Sequence, residues 1–522
     1  MQNVPLDYCI SFATVQSEIS LAVCRKLSMY CDLPKVEVWL YFVLWISGVL
    51  YSMYNVYLSG IYFDGSIHGV FTSGWSFINR KKDVSDFEWA MWVPFLYASA
   101  PWVCAHLVVA EIVRYAFKEL LCLWYLMIST LYLLLHVGSV ATLFMLMEPC
   151  LMYLLLQFRS RILIYAAGVF LLAFHNIDSR MNFLSIPYEY QYMLMISAAW
   201  IYMRGQSYCL DKLATVNTGP SVSDFVMMLG YCFYFPMLFL GPLVLYQEFE
   251  AGVLKPYAPW TLKRVKTFLL NVVRYSWWML FLELFLHFIY VGALQMDVWY
   301  VTRLGAWAHY GMGYSMGVMF QMKYVITYGL SCTVARAEQI QTPNHPKCIG
   351  RIHLYSDMWR HFDQGLYFFL RKYIYIPMLG ERPSFAVRLL ASFTCFTFVY
   401  AWHRIHMFVL VWSVLNYLGV TIEAFSKAIA STTHYHKYEK YLFSTPQNIR
   451  RFHALIATPL FMMSALSNFY FFAGMSVGNQ FVRRLFEGSL QENSTLFLFC
   501  YCCSQVSIEV KNWEQRKEKK QM

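Results

Sequence analysis

Asp363 and His403 are the residues of this sequence whose type and setting suit acid–base chemistry, since both stand among aromatic and apolar neighbours. The aspartate lies in RIHLYSDMWRHFDQGLYFFLRKYIYIP, where Asp357, Arg360, His361, Asp363, Arg371 and Lys372 alternate with Trp359, Phe362, Tyr367, Phe368, Phe369 and Tyr373. An extramembrane loop would not need so many large aromatics, and a plain span would not tolerate so many charges. A segment lying at the interface, or dipping in and out while packed by protein, satisfies both demands. At helical spacing Trp359, Phe362 and Leu366 share one face with Asp363 one position away, which can aim the carboxylate into a protein-lined cavity. An interfacial helix whose aspartate pairs with Arg360 or Arg371 and does nothing more explains the same residues equally well. The histidine stands in VYAWHRIHMFVLVWSVLNYLGVTIEA between two apolar runs, the second of which carries Asn416 and Glu423. An imidazole, with an ordinary pKa of about 6.5, has what a general base needs, although a lone histidine near a helix end is also a common structural residue. Asp363 and His403 belong to different segments, so only the fold can bring them together.

The elements that must position these residues are membrane helices. The chain has 522 residues, of which 59% are hydrophobic, 19% aromatic and 14% charged, and its mean hydropathy is +0.43. Soluble domains are about 25% charged, so this composition cannot supply a polar skin. With 25 Gly, 17 Pro and 14 Cys, the collagen-like, disordered and disulfide-scaffold classes are excluded too. Candidate spans fall at 38–58, 89–113, 120–147, 151–175, 192–203, 225–245, 268–294, 308–330, 385–402, 407–424, 454–474 and 494–508. Several are short or carry polar residues, so the expected fold is an all-α polytopic membrane protein with roughly nine to twelve membrane segments, re-entrant ones included. The net charge of +11 comes from 41 basic and 30 acidic residues. The basic residues sit in short runs between apolar stretches, which marks cytosolic loops and not a nucleic-acid surface.

The cysteines are scattered without metal-binding spacing and read as packing residues; for Cys500, Cys502 and Cys503 the alternative is S-palmitoylation at a membrane edge. No cleavable signal pattern opens the sequence, so the first span is expected to act as the insertion signal. Lys519 and Lys520, near the end of a basic tail, match a dilysine retrieval signal read from the cytosol; a tail resting on anionic lipid is the alternative. The expected location is the endoplasmic reticulum membrane, or the Golgi, with a cytosolic C-terminus.

Three ordered segments, DMWRHFDQGLYFFLRKYIYIP, AWHRIHMFVLVWSVLNYLGVTIE and RRFHALIATPLFMMSALSNFYFFAGMSVGNQFVRRLF, carry a family resemblance that covers 346–486. They resemble the membrane-bound O-acyltransferase superfamily and, within it, the Hedgehog acyltransferases. The resemblance implies an enzyme that moves palmitate from palmitoyl-CoA to the N-terminal cysteine of secreted Hedgehog-type signalling proteins, with EGF-like ligands a further class. It implies that His403 is the catalytic histidine, Asp363 the catalytic aspartate and Asn468 an asparagine at the reaction centre. It also implies that Cys348 ligates the iron of a haem b, although Cys348 reads equally as a buried, inert thiol. Many family members have Gly directly after the histidine, where this chain has Arg404; a guanidinium directed outward to the lipid interface is the expected arrangement. Inactive relatives lack the histidine, so its presence implies an active enzyme.

On this reading Trp359, Phe368 and Phe369 line an acyl tunnel, Arg371 and Lys372 take the CoA phosphates, and Arg360 and Asn416 complete the substrate-binding set. The expected organisation is an interfacial segment at 1–35, a multi-span region at 36–335, an acyltransferase core at 336–486, and a last span with basic tail at 487–522. Its partners are the lipid bilayer, palmitoyl-CoA and the acceptor protein, without nucleic acid, and the chain acts as a monomer. Two other readings stand beside it. One keeps the fold and changes the acceptor to a lipid or serine hydroxyl. The other is a proton- or ion-coupled transporter with a path through Asp363, His403 and Glu423, against which the interfacial DMWRHFDQG segment counts.

Overall fold

The computed structural model describes residues 31–63, 67, 69–177, 186, 188–215, 221–351 and 353–521. The N-terminal readings for residues 1–30 lie outside the described residues. The principal helices are α1 (Lys35–Tyr62), α2 (Phe87–Ala116), α3 (Lys118–His136), α4 (Ser139–Leu156), α5 (Arg161–His175), α6 (Tyr188–Thr215), α7 (Val222–Cys232) and α8 (Leu262–Phe285). They continue as α9 (Ala306–Ala337), α10 (Tyr355–His361), α11 (Gln364–Leu370), α12 (Phe385–Trp402), α13 (Met407–Ala430), α14 (Pro446–Glu487) and α15 (Leu490–Gln521). Among the described residues the only sheet is a two-stranded antiparallel ribbon, Phe71–Ser73 with Lys81–Asp83.

Eight of these helices, α1 to α4, α8 and α12 to α14, are long and apolar enough to cross a membrane, and α5 and α7 are shorter apolar helices. The chain is therefore an all-α polytopic membrane protein. The spans leave broad apolar faces uncovered by protein, with Trp39, Val43 and Leu50 of α1 more than half exposed; in water such faces would be unsupportable, and in a bilayer they meet acyl chains. Two of the candidate spans, 192–203 and 308–330, lie instead within the interior helices α6 and α9, buried through most of those positions. A third, 225–245, is not one helix. α7 ends at Cys232, a single turn at Phe235–Leu238 follows, and the chain runs without helix to Leu245, with every residue from Met228 to Leu245 buried except the partly buried Leu240. Irregular backbone survives at membrane depth only when protein encloses it.

α9 is the axis of the fold. On α1 the buried positions Gly48, Ser52, Val56 and Gly60 recur every four residues, forming one narrow stripe of mostly small side chains. That stripe lets the two backbones approach closely: a Cβ on Gly311 of α9 would stand 2.2 Å from the Ser52 carbonyl oxygen. α14 is broken at Gly474, whose φ of 74° and ψ of −175° end its first arm. A Cβ there would meet nothing within 4 Å, so the glycine is required for its backbone angle and not for space. Beyond it the chain doubles back, bringing Phe481 to 4.1 Å from Phe469 between ring centroids.

Candidate active site

Asp363 sits between two short helices and not on one continuous helix. α10 stops at His361, and Asp363 caps the N-terminus of α11 with Oδ1 accepting the Leu366 N–H at 2.9 Å. Its other oxygen accepts a hydrogen bond from the Tyr328 hydroxyl of α9 at 2.8 Å. Burial pushes the Asp363 carboxyl up from its ordinary pKa, and the Leu366 N–H and Tyr328 hydroxyl pull it back. The adjoining glycine is fixed by crowding, since a Cβ on Gly365 would stand 2.3 Å from the Leu243 carbonyl oxygen. Neither Arg360 nor Arg371 is the partner of Asp363, so the purely ion-paired interfacial helix is not what forms.

His403 lies one residue beyond α12, its backbone N–H bonded to the Val399 carbonyl. Its ring is caged by Trp402 at 4.5 Å, Phe471 at 5.1 Å and Trp412 at 5.4 Å between centroids, each edge to face. In this apolar surround burial pulls the imidazole well below its ordinary pKa, so it is neutral and keeps a lone pair to accept a proton. Asn468, on the first arm of α14, accepts from the Trp412 indole N–H at 3.1 Å and donates through Nδ2 to the Ser464 carbonyl at 3.0 Å and the Met358 sulfur at 3.5 Å.

Asp363, His403 and Asn468 open into one cavity of about 900 Å³, whose wall also includes Trp359, Phe362, Leu366, Trp412 and Phe471. That is the upper range for a small-molecule site, roughly 300–1,000 Å³. Trp359 is pinned by its indole N–H on the Asn416 side-chain Oδ1 at 3.1 Å, and Asn416 donates through Nδ2 to the Ser467 hydroxyl and the Trp412 carbonyl. Two Trp–Asn pairs, Trp359–Asn416 and Trp412–Asn468, thus stand side by side with their indoles 5.5 Å apart.

Several expected site residues lie elsewhere. Asn416 is fully buried behind the wall and does not reach the cavity. Phe369 is packed in the core on Tyr373 and Phe398 and Phe368 is exposed, and neither is on the wall of this cavity. Lys372 is engaged by Asp211 at 2.9 Å, whereas Arg360 and Arg371 are exposed. Arg404 is half-buried on the cavity wall with its Nε buried, contrary to the outward orientation expected. Cys348 is exposed and not a buried thiol. Cys502 and Cys503 are buried, in line with a packing role.

A profile of the membrane-bound O-acyltransferase family, MBOAT, matches residues 120–467, a stretch that includes both Asp363 and His403. The chain belongs to the membrane-bound O-acyltransferase family. It is 30% identical over 484 residues to the protein-cysteine N-palmitoyltransferase Rasp of Drosophila melanogaster, covering 91% of this chain and 95% of that protein. It is 27% identical over 448 residues to the protein-cysteine N-palmitoyltransferase HHAT of Mus musculus, covering 82% and 88%. To the HHAT-like protein of the same species it is 26% identical over 441 residues, covering 82% and 85%.

This membrane-bound O-acyltransferase also places in the cavity residues that sequence reasoning passed over. Lys323 of α9 is buried there and its ammonium meets Asp86 at 2.8 Å and Glu88 at 2.9 Å. The signal was present, because Lys323 is the only Lys, Arg, Asp or Glu between Arg303 and Arg336, and such a charge is costly unless paired. Tyr328, which holds Asp363, and the neighbouring His175 and Asn176 also line the cavity; nothing in their local sequence sets them apart.

Proposed function

We propose that this chain is a protein-cysteine N-palmitoyltransferase that transfers palmitate from palmitoyl-CoA to the N-terminal cysteine of secreted Hedgehog-type proteins. The observation that carries this reading is the meeting of Asp363, His403 and Asn468 on one largely apolar cavity in a chain whose relatives bear that activity in their names. In the reaction the acceptor nitrogen attacks the thioester carbonyl carbon, a C–N bond forms and the C–S bond breaks. His403 takes the proton from the attacking amine and returns it to the departing CoA sulfur. Its neutral, aromatic-caged ring supports that role. Asn468 is assigned to the developing oxyanion: the N–H now spent on the Met358 sulfur is a weak bond, readily exchanged for a carbonyl oxygen. Asp363, tied to Tyr328, keeps further lone pairs for handling protons in the cavity. Trp359 is assigned to the acyl wall. Each methylene of the acyl chain buried there contributes about 0.8 kcal/mol, and the dry surround protects the thioester from hydrolysis. Among the basic candidates for CoA phosphates the exposed Arg371 is favoured over Lys372, whose charge Asp211 already balances.

The test is palmitate transfer by purified protein from palmitoyl-CoA to a peptide with an N-terminal cysteine, with diacylglycerol as the competing acceptor. His403→Ala is expected to lower transfer by roughly 10² to 10⁴ while leaving detergent monodispersity unchanged. Undiminished transfer, or transfer to diacylglycerol alone, would overturn the reading.

A haem on Cys348 would take the thiolate as its iron ligand and needs an apolar surface against which the macrocycle can rest. The exposed Cys348, beside an aromatic wall in which Trp45 and Tyr314 approach Gly350, is compatible with that. A Soret band that disappears in Cys348→Ala is expected; no band in the wild type refutes the ligand.

A further inference from the structure

The turn that presents His403 is gripped from another helix. Asn176 follows the last residue of α5, and its side-chain amide reaches the chain on both sides of the histidine. Nδ2 donates to the Ala401 carbonyl at 2.9 Å and to the Leu172 carbonyl at 2.8 Å, while Oδ1 accepts the Ile405 N–H at 3.0 Å. One carboxamide therefore bonds the residue two before His403 and the residue two after it. A carboxamide donates to one and accepts from the other through two separate atoms and without bringing a charge.

The turn has reason to need a restraint. Arg404 adopts φ 74°, in the left-handed region that a residue with a Cβ enters only when its surroundings hold it there. Within its own segment the Ala401 carbonyl receives a share of the His403 N–H and a long 3.3 Å bond from the Arg404 N–H, and the Ile405 N–H has the Asn176 oxygen as its partner. Asn176 is itself fixed in place. Its N–H bonds the Ala173 carbonyl, and the adjacent His175 meets the buried Glu148 carboxylate at 2.6 Å, tying the end of α5 to α4.

We propose that Asn176 is a positioning residue for the His403 base, latching the strained Ala401–Ile405 turn so that the imidazole stays inside its ring of Trp402, Trp412 and Phe471. The Asn176 side chain hydrogen-bonds backbone atoms of Leu172, Ala401 and Ile405, and it is assigned a positioning role through them. The inference rests on the reading of His403 as the base.

The experiment measures kcat and KM for palmitoyl-CoA and for an N-terminal cysteine peptide in purified full-length variants. Asn176→Ala is expected to lower kcat at least tenfold with both KM values within about twofold of wild type. Adding Arg404→Gly, which removes the cost of the left-handed turn, is expected to restore a substantial part of that loss. Arg404→Gly also relieves strain in the folded state as a whole, so thermal unfolding is measured on every variant, and kcat is expected to fall in Asn176→Ala by more than any loss of folded protein accounts for. Asn176→Asp keeps the acceptor for Ile405 and sets a carboxylate against the Ala401 carbonyl; it is expected to fall between wild type and Asn176→Ala. Wild-type kcat in Asn176→Ala, or a loss that Arg404→Gly leaves untouched, overturns the latch. Should Asn176→Ala not purify as a monodisperse species, Asn176→Asp decides: unchanged kcat overturns the proposal and a reduced one sustains it. His403→Ala run in parallel separates the two ideas. If it remains active the base assignment fails, whereas an inactive His403→Ala beside a fully active Asn176→Ala defeats the latch alone.

Discussion

His403 combines two properties that rarely coincide, access to a cavity and the absence of a charged partner for its ring among the described residues. Held below its ordinary range by burial, the imidazole stays neutral as pH falls through about 6.5, so its basic form is not lost there. The acceptor amine, by contrast, is protonated below about 7.7–8.0. A plot of log kcat/KM for the peptide against pH is therefore expected to show an acid limb of slope one, with no second break near 6.5. A limb that steepens to slope two below about 6.5 would show that His403 titrates in the ordinary way. Asp363 and His403 were legible because charge is rare in this chain and stands out against apolar runs. Tyr328 and Asn176 were not: a tyrosine among 40 tyrosines carries no mark in sequence, and its meaning comes only from the Asp363 oxygen it touches.

At the scale of elements, the cavity is built by helices whose relative placement depends on a few buried contacts. Lys323 joins α9 to the N-terminus of α2 through Asp86 and Glu88, and the lysine is the deeply buried partner while both carboxylates keep some exposure. Removing the carboxylates strands a buried ammonium; removing the ammonium leaves two groups that solvent can still reach. Asp86→Asn with Glu88→Gln is therefore expected to destabilise by about 3–5 kcal/mol, the usual result of leaving a buried charge unpaired. Lys323→Met is expected to cost clearly less. Thermal unfolding in detergent compares them, and equal or reversed effects would contradict the burial argument. Periodicity indicated the helices themselves, but not the break at Asp363. Trp359, Phe362 and Leu366 at helical spacing fit one continuous helix, whereas the Asp363 cap and the Tyr328 hydroxyl favour ending one helix and starting another.

The whole molecule is a multi-pass membrane protein that ends in a basic tail. Lys519 and Lys520 are exposed at the end of α15, which is tethered to the catalytic region by Lys511 on Asp357 and by Lys347 on Glu514. We propose that they are read in the cytosol as a retrieval signal for the endoplasmic reticulum. Replacing both with serine is expected to shift the protein to later secretory compartments by fluorescence microscopy, and unchanged distribution would refute it. By itself the sequence determined the solvent. A chain with 14% charged residues must pass its helices through lipid, because burial of apolar surface is roughly proportional to composition and needs no knowledge of the fold. It also singled out Asp363 and His403, since an ionisable group in an apolar run is costly wherever it lies. Only the tertiary structure decided which side chains share a cavity. It set Asp363, His403 and Asn468 around one cavity, withdrew Asn416 and Phe369 from it, and brought Lys323 to Asp86 and Asn176 to the flanks of His403. Those are short-range contacts, effective over a few ångströms between segments distant along the chain, and no local pattern of residues encodes them.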